Sequence, residues 1–333
     1  MINIFLLSAS ISSVTLLLVI FLTHKYNFFL DKSDTDKPQN YHDKTTPRAG
    51  GIGILTGLGL ILMGGFGIKL IPSIILAFFS GIFEDFHNSL SPQMRLFLQF
   101  IAALTAIILT NSVVTYLGLG ITLPYWLGVL FSLFAIVGMM NAINIIDGFN
   151  GLASSVIFII LVSFAFVSYH HHNIDLLFFI STIAGSTFGF FILNFPKGKI
   201  FLGDGGAYLL GFIVAIIGIF LASTYEDVSP WYTLAIFIYP VWEVVFSIFR
   251  KLYIGLSPMQ PDRYHLHMLI YRQITKSNPG TTIFIVFLLI PSSFCSTLYA
   301  KSSIANIFIT STFIFCYLGL YAYLRKREMN EDT

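Results

Sequence analysis

The stretch GAYLLGFIVAIIGIFLAS, residues Gly206 to Ser223, carries no charged residue and no proline. A run of this length and apolarity is a candidate membrane-crossing helix, because about 30 Å of hydrocarbon takes roughly 20 residues at 1.5 Å each. Ten further apolar runs accompany it, near 4–23, 50–67, 70–83, 95–113, 124–143, 151–169, 174–193, 231–249, 281–299 and 304–324. An all-α, polytopic membrane protein of about eleven spans is therefore expected. Composition points the same way. Of 333 residues 56% are hydrophobic and 10% charged, against roughly 25% charged in a soluble domain. Phenylalanine alone contributes 35 residues and mean hydropathy is +0.82. Such a surface needs lipid as its solvent.

The charges are sorted by side. If the first helix enters the cytoplasm at His24 and each later run crosses once, sixteen of the 18 basic residues fall on the cytoplasmic side, leaving Lys69 and Lys301 outside. That asymmetry is the positive-inside pattern, with the N-terminus outside and the C-terminus inside. Twelve of the 16 acidic residues share that side, so chemistry is sought there. The near balance of basic and acidic residues leaves no field suited to nucleic acid. The first run lacks a basic residue before it and a small-residue cleavage site after it, so it reads as an anchor and not a signal peptide. One membrane domain is expected over 1–325, with a short cytoplasmic tail over 326–333. Cys295 and Cys316 lie in apolar runs and read as small buried side chains.

Five cytoplasmic stretches carry polar groups too dense for simple connectors. In Thr46–Gly53, Arg48 precedes a glycine cluster at a helix start, where backbone N–H groups and a cation suit a phosphate. Glu84 and Asp85 are adjacent at the end of the third run; paired carboxylates there could share a divalent metal or divide proton and metal duties. Asn141, Asn144 and Asp147 recur at spacing three, on one face, before the turns Asp147-Gly148 and Asn150-Gly151 break the helix. The competing reading of these amides is interhelical glue. Asp204, among glycines at the start of the Gly206–Ser223 run, is either an N-cap or a Mg²⁺ ligand. Arg263, His265 and His267 sit in a long loop; without a thiol or a third close histidine, anion binding is favoured over zinc. His170, His171 and His172 fall on the outer side and read as surface. Glu243, inside the ninth run, could brace this loop or face a lipid-phosphate groove; an interhelical hydrogen bond is the favoured reading.

Clustered carboxylates, cations and amides at one membrane face suit phosphoryl transfer from a soluble donor to a lipid acceptor. In these five motifs, in this order, the chain resembles the polyprenyl-phosphate N-acetylhexosamine-1-phosphate transferases, a glycosyltransferase family 4 type. The resemblance spans most of the chain. It implies transfer of N-acetylhexosamine 1-phosphate from a UDP-sugar to undecaprenyl phosphate at the cytoplasmic face of a bacterial inner membrane, with release of UMP. Mg²⁺ is the implied cofactor, with Mn²⁺ as a substitute, and a homodimer is allowed. By the same resemblance Glu84, Asp85 and Asp204 are the catalytic acids, with Asp204 and Asp85 as metal ligands. Arg48, Asn141, Asn144, Asp147, Asn150, Arg263, His265 and His267 would bind substrate.

Three departures from the family pattern stand out. Glu84 replaces a frequent aspartate, Asn150 another, and two histidines stand where three often cluster. The span count, the C-terminus inside and the lack of a pentapeptide-specific insertion favour the branch that initiates O-antigen, capsule or related surface glycans. The alternatives are the peptidoglycan lipid I-type transferase and a transporter or flippase of lipid-linked sugars. A transporter would carry its polar groups near the bilayer midplane, not at one face.

Overall fold

The computed structural model describes residues 1–26, 30–31, 46–87, 90–257, 260 and 262–331. Lys32, Lys37, Lys44, Asn88 and Pro261 of the expected cytoplasmic segments lie outside the described residues. The chain begins with α1 (Ile2–Tyr26), then a short antiparallel ribbon of β1 (Leu30–Asp31) and β2 (Thr46–Pro47). It continues through α2 (Gly50–Gly57), which tightens into a 3-10 turn at Leu58–Met63, α3 (Gly65–Lys69), α4 (Ile71–His87), α5 (Pro92–Thr110) and α6 (Tyr125–Ile146). Then follow α7 (Leu152–His170), α8 (Ile174–Asn194), α9 (Gly203–Thr224), α10 (Pro230–Ile236) and α11 (Ile238–Tyr253). The last elements are α12 (Leu266–Ile270) with a π-helical turn at Tyr271–Thr275, α13 (Asn278–Leu298) and α14 (Ser303–Glu331).

Eight of these helices are long and apolar enough to cross a membrane: α1, α5, α6, α7, α8, α9, α13 and α14. A ninth arises if α10 and α11, bent by 77° at their junction, form one broken span. The two remaining expected runs, near 50–67 and 70–83, are a broken helix and a shorter one. The run near 50–67 is interrupted, because Gly64 adopts an extended conformation (φ −122°, ψ 147°) that stops the 3-10 turn. The next, α4, has 17 residues. Both nevertheless connect the two ends of the bundle. Gly50 N–H donates to Phe201 O (2.8 Å) beside the start of α9, whereas Gly65 N–H reaches Asp175 Oδ1 (3.4 Å) at the start of α8, the opposite end. α4 then returns until Asp85 stands at the start of α9.

Local chemistry sets several helix starts. Ser91, Asn173 and Ser277 accept from the backbone N–H of Met94, Leu176 and Gly280, and Pro92 opens α5 where its missing donor costs nothing. α9 forms the core: every residue from Gly205 to Ile219 is buried, packed by α2, α4, α6 and α7. A helix apolar all round demands this placement. α1 meets α8 through small polar residues, with Ser8 Oγ donating to Thr182 O (2.7 Å) and Ser12 Oγ to Ser186 O (2.8 Å). α13 and α14 lie at the periphery. Cys295 and Cys316 are consequently exposed free thiols on their outward faces, not the buried residues expected from the sequence.

At the end of the bundle away from Asp204, His171 stacks on Tyr225 (3.9 Å between ring centres) and approaches Asp227 (3.5 Å), which pairs with Lys301 (2.7 Å). His170 and His172 are exposed as expected. His171 instead joins two inter-helix turns.

Candidate active site

The site is assembled on the first turn of α9. Phe201 N–H donates to Pro47 O (2.8 Å) and Gly51 N–H to Leu202 O (3.0 Å), so the strand carrying Arg48 lies parallel to the segment entering α9. Gly203 adopts φ +77°, a conformation costly for residues with a Cβ, and turns the chain into the helix. The first N–H groups of a helix lack internal partners. Here Asp85 supplies them from α4: its Oδ1 accepts from Asp204 N and its Oδ2 from Gly205 N, both at 2.9 Å. Asp85, expected as a metal ligand, thus uses both oxygens to cap α9 and aim Asp204.

Asp204 is the focus of charge. Its Oδ1 accepts from Asn144 Nδ2 (3.0 Å) and lies 3.6 Å from Arg48 Nη2; its Oδ2 accepts from Arg95 Nη1 (3.1 Å). Arg95 also approaches Glu84 Oε1 (3.8 Å). Among the described residues Glu84 Oε2 is buried with no hydrogen-bond partner, an oxygen left for a ligand. Arg95 is the residue the sequence reading missed. It stands four positions after the α5 cap Ser91 and looks like an ordinary positive-inside arginine until α5 is laid beside α9.

The asparagine face divides in two. Asn144 serves Asp204. Asn141 instead donates to Gln99 Oε1 and Val137 O, each at 2.8 Å, and is the interhelical glue that was the competing reading. Asn150, expected to bind substrate, is anchored to the scaffold by three groups, while its Oδ1 is buried with no hydrogen-bond partner among the described residues. Its Nδ2 donates to Pro196 O (3.0 Å), its N–H to Asn278 Oδ1 (2.7 Å), and its carbonyl accepts from Thr282 (2.7 Å).

Asp147 ends α6 and is partly buried. Burial pushes its carboxyl up to about 7, with Arg48 opposing and Asp204 reinforcing the shift. An acid raised in the fold favours folding when protonated, so that contribution is full below the ordinary 3.8 and is lost as pH rises through about 7. Asp147→Asn, neutral at every pH, is expected to melt several degrees above the native chain at pH 8, with a smaller gain at pH 5. Equal gains at both values would show that the buried charge is not the cause.

The histidine loop closes the other side. His267 Nε2 is buried, lacks a hydrogen-bond partner among the described residues and faces Gly148, and its ring meets Phe149 edge-on (5.6 Å). The third and fifth motifs therefore converge on neighbouring residues of one site. The loop is moored by Arg250, which donates to both oxygens of Asp262 (2.8 and 3.1 Å), to Tyr264 O (2.6 Å) and to Tyr321 Oη (3.0 Å). α14 adds Arg325 over the Tyr264 ring (4.3 Å) and Glu328 on Arg272 (2.8 Å). Arg263 is exposed at the rim.

Among the described residues no three His, Cys, Asp or Glu side chains converge on a metal position, which argues against a closed zinc-type cage. The donors offered are the Asp204 carboxylate and the unpartnered Glu84 oxygen. One or two carboxylates, completed by phosphate oxygens and water, are what Mg²⁺ takes.

The glycosyl transferase family 4 pattern matches residues 68–222, the segment that holds Glu84, Asp85, Asn144, Asp147 and Asp204. Over 271 residues the chain is 30% identical to the phospho-N-acetylmuramoyl-pentapeptide-transferase of Streptococcus sanguinis, covering 74% of this chain and 81% of that protein. The chain belongs to glycosyl transferase family 4. This family 4 member is also 27% identical, over 275 residues, to the probable undecaprenyl-phosphate N-acetylglucosaminyl 1-phosphate transferase of Bacillus subtilis, with 77% of this chain and 74% of that protein covered. A third relative, the phospho-N-acetylmuramoyl-pentapeptide-transferase of Streptococcus thermophilus, is 36% identical over 149 residues, 43% of each chain. The family 4 segment ends before the histidine loop, so the half of the site built by α11 and α12 lies outside it.

Proposed function

We propose that this family 4 protein transfers an N-acetylhexosamine 1-phosphate from a UDP-sugar to undecaprenyl phosphate at the cytoplasmic face of a bacterial membrane. The observation that carries the reading is the Asp204 carboxylate, set at the start of a buried helix between two guanidinium groups and beside an unpartnered Glu84 oxygen. The names of the relatives supply the rest: a phospho-sugar in one, undecaprenyl phosphate as acceptor in the other. The cytoplasmic assignment rests on the sorting of basic residues.

In the proposed reaction an oxygen of the lipid phosphate attacks the β-phosphorus of the donor in line. The bond from that phosphorus to the oxygen bridging to the α-phosphate breaks, and UMP leaves with the electron pair. Asp204 and Glu84 would hold Mg²⁺, which would supply charge neutralisation on the diphosphate. Arg48 and Arg95 neutralise phosphate charge from the protein side. Asn144 and Asp147 face the nucleotide half of the donor, and Arg263 with the two histidines meets its diphosphate or sugar. Inversion at a chirally labelled β-phosphorus supports the single displacement; retention would favour a two-step route through a phospho-aspartate.

Arg95→Gln is expected to lower kcat/KM by roughly 10- to 100-fold, the loss of a hydrogen bond between charged groups worth about 1.5–3 kcal/mol. Steady-state kinetics with the native chain alongside reads this directly. The reading as a whole is tested by UMP release from the purified protein with undecaprenyl phosphate, Mg²⁺ and a panel of UDP-N-acetylhexosamines together with UDP-N-acetylmuramoyl-pentapeptide. Turnover with a simple hexosamine donor supports the surface-glycan branch. Turnover confined to the pentapeptide donor assigns the chain to the peptidoglycan step, a reading favoured by the Streptococcus sanguinis relative. No UMP from any donor, with folded protein, would turn the case toward transport of a lipid-linked sugar.

A further inference from the structure

Glu243 lies in α11, within the broken span, and is 1% exposed. A carboxylate at such a position is costly unless it is paired. Both of its oxygens face the histidine loop: Oε2 lies 3.0 Å from His265 Nδ1, and Oε1 accepts from the Leu266 backbone N–H at 3.1 Å. Oε1 is also 3.8 Å from His267 Nδ1, whose nearer partner is the Tyr239 hydroxyl at 3.2 Å. The two imidazoles are parallel within 5°, with ring centres 5.4 Å apart.

An ionised carboxylate can only accept. Its contact with His265 therefore requires the proton on Nδ1, and this directs Nε2 to the other side of the ring, where Asp262 Oδ1 lies at 3.9 Å. Glutamine, with nearly the same volume, offers one acceptor oxygen where two donors, His265 Nδ1–H and Leu266 N–H, have to be met; its amide nitrogen would face one of them, so the position calls for a carboxylate. The charge itself is useful where an imidazole has to keep one tautomer and one tilt, as with metal-ligating histidines held by a carboxylate behind them.

We propose that Glu243 is a positioning residue for the transfer reaction: it sets the tautomer and orientation of His265 and, through Leu266 N–H, the path of the loop into His267, without touching substrate. This inference rests on the donor-binding role proposed above for the loop. The sequence admits a brace of the loop and favours an interhelical bond; the structure carries both, because Leu266 opens α12 and the Tyr317 hydroxyl of α14 also interacts with the carboxylate.

The test is a double-mutant cycle in the full-length protein, with Glu243→Gln made in the native chain and in His265→Ala. Glu243→Gln is expected to lower kcat by about 10- to 100-fold in the native background and by less than about threefold where His265 is already absent. A Glu243→Gln protein within about twofold of native, or an equal loss in both backgrounds, overturns the proposal. Should Glu243→Gln not be recovered folded, Glu243→Asp enters the same cycle; it keeps the charge but withdraws it by one methylene, and the same coupling is expected. Nitrogen-15 histidine spectra read the pairing without turnover. An Nδ1–H imidazole that disappears in His265→Ala and shifts in Glu243→Gln is the expected signature; its absence, or its indifference to Glu243→Gln, refutes the role. Native protein that gives this signature yet releases no UMP would instead remove the transfer reaction.

Discussion

Asp204→Asn is expected to cut lipid-dependent UMP release by about a thousandfold or more, while the melting temperature stays close to that of the native chain. The substitution keeps the shape of the side chain and replaces one anionic oxygen with an amide. Arg95 and Arg48, which now converge on the carboxylate at 3.1 and 3.6 Å, then face a neutral group, and the proposed cation site loses its principal donor. Preorganised charge in a water-poor site accounts for two to three orders of magnitude per group removed, and here the change would disturb the proposed cation and both guanidinium groups together. Asp85, which caps α9 through backbone N–H groups, does not depend on the Asp204 side chain, so the helix start is retained. Activity within tenfold of native would remove Asp204 from the centre of the mechanism.

Gly81→Ala should damage the site without altering any polar residue in it. A Cβ at position 81 would stand 2.4 Å from Asp204 C and from Gly205 N, and 2.5 Å from Asp204 O. Real Cβ atoms do not approach backbone so closely, and backbone cannot rotate away as a side-chain end can. α4 must therefore move from α9, stretching the two 2.9 Å bonds from Asp204 N and Gly205 N to Asp85. Overpacking of this kind costs about 1–3 kcal/mol or somewhat more. A misplacement near 1 Å is enough to reduce turnover about 100-fold. Gly138→Ala, in α6 with no heavy atom within 4 Å of the added carbon, is the control and should leave both melting temperature and rate near native. Equal behaviour of the two variants would show that α4 and α9 can separate at little cost.

The same contact explains what could be read from the residues in order. Apolar run length is a local property, so the long helices were legible: a segment such as Gly206–Ser223 has no aqueous face in any arrangement of its neighbours. Motif chemistry was legible for a similar reason, since a carboxylate, an amide or an imidazole at a membrane face is expensive wherever the chain goes next. The breaks within the spans were not legible: at Gly64 and at the 77° bend between α10 and α11 backbone geometry interrupts an apolar run that composition leaves continuous.

The roles within the site needed the tertiary structure. Asn141 and Asn144 share a face and a spacing, yet one meets Gln99 of α5 and the other Asp204 of α9, because both helices pack on α6. That Asp85 caps α9 was not legible, since the orphan N–H groups it satisfies belong to a helix 119 residues further along the chain. Arg95 carried no distinguishing signal, and Glu243 stood out only as a carboxylate within a span, because the meaning of a charge lies in its partner and their partners, Asp204 and His265, are remote in sequence. The sequence by itself determined a membrane bundle with an acidic, basic and amide-rich end, through hydrophobicity and the cost of charge in lipid. Which of those groups face one another was decided only by helix packing, since hydrogen bonds reach about 3 Å and their partners are set by how helices lie together.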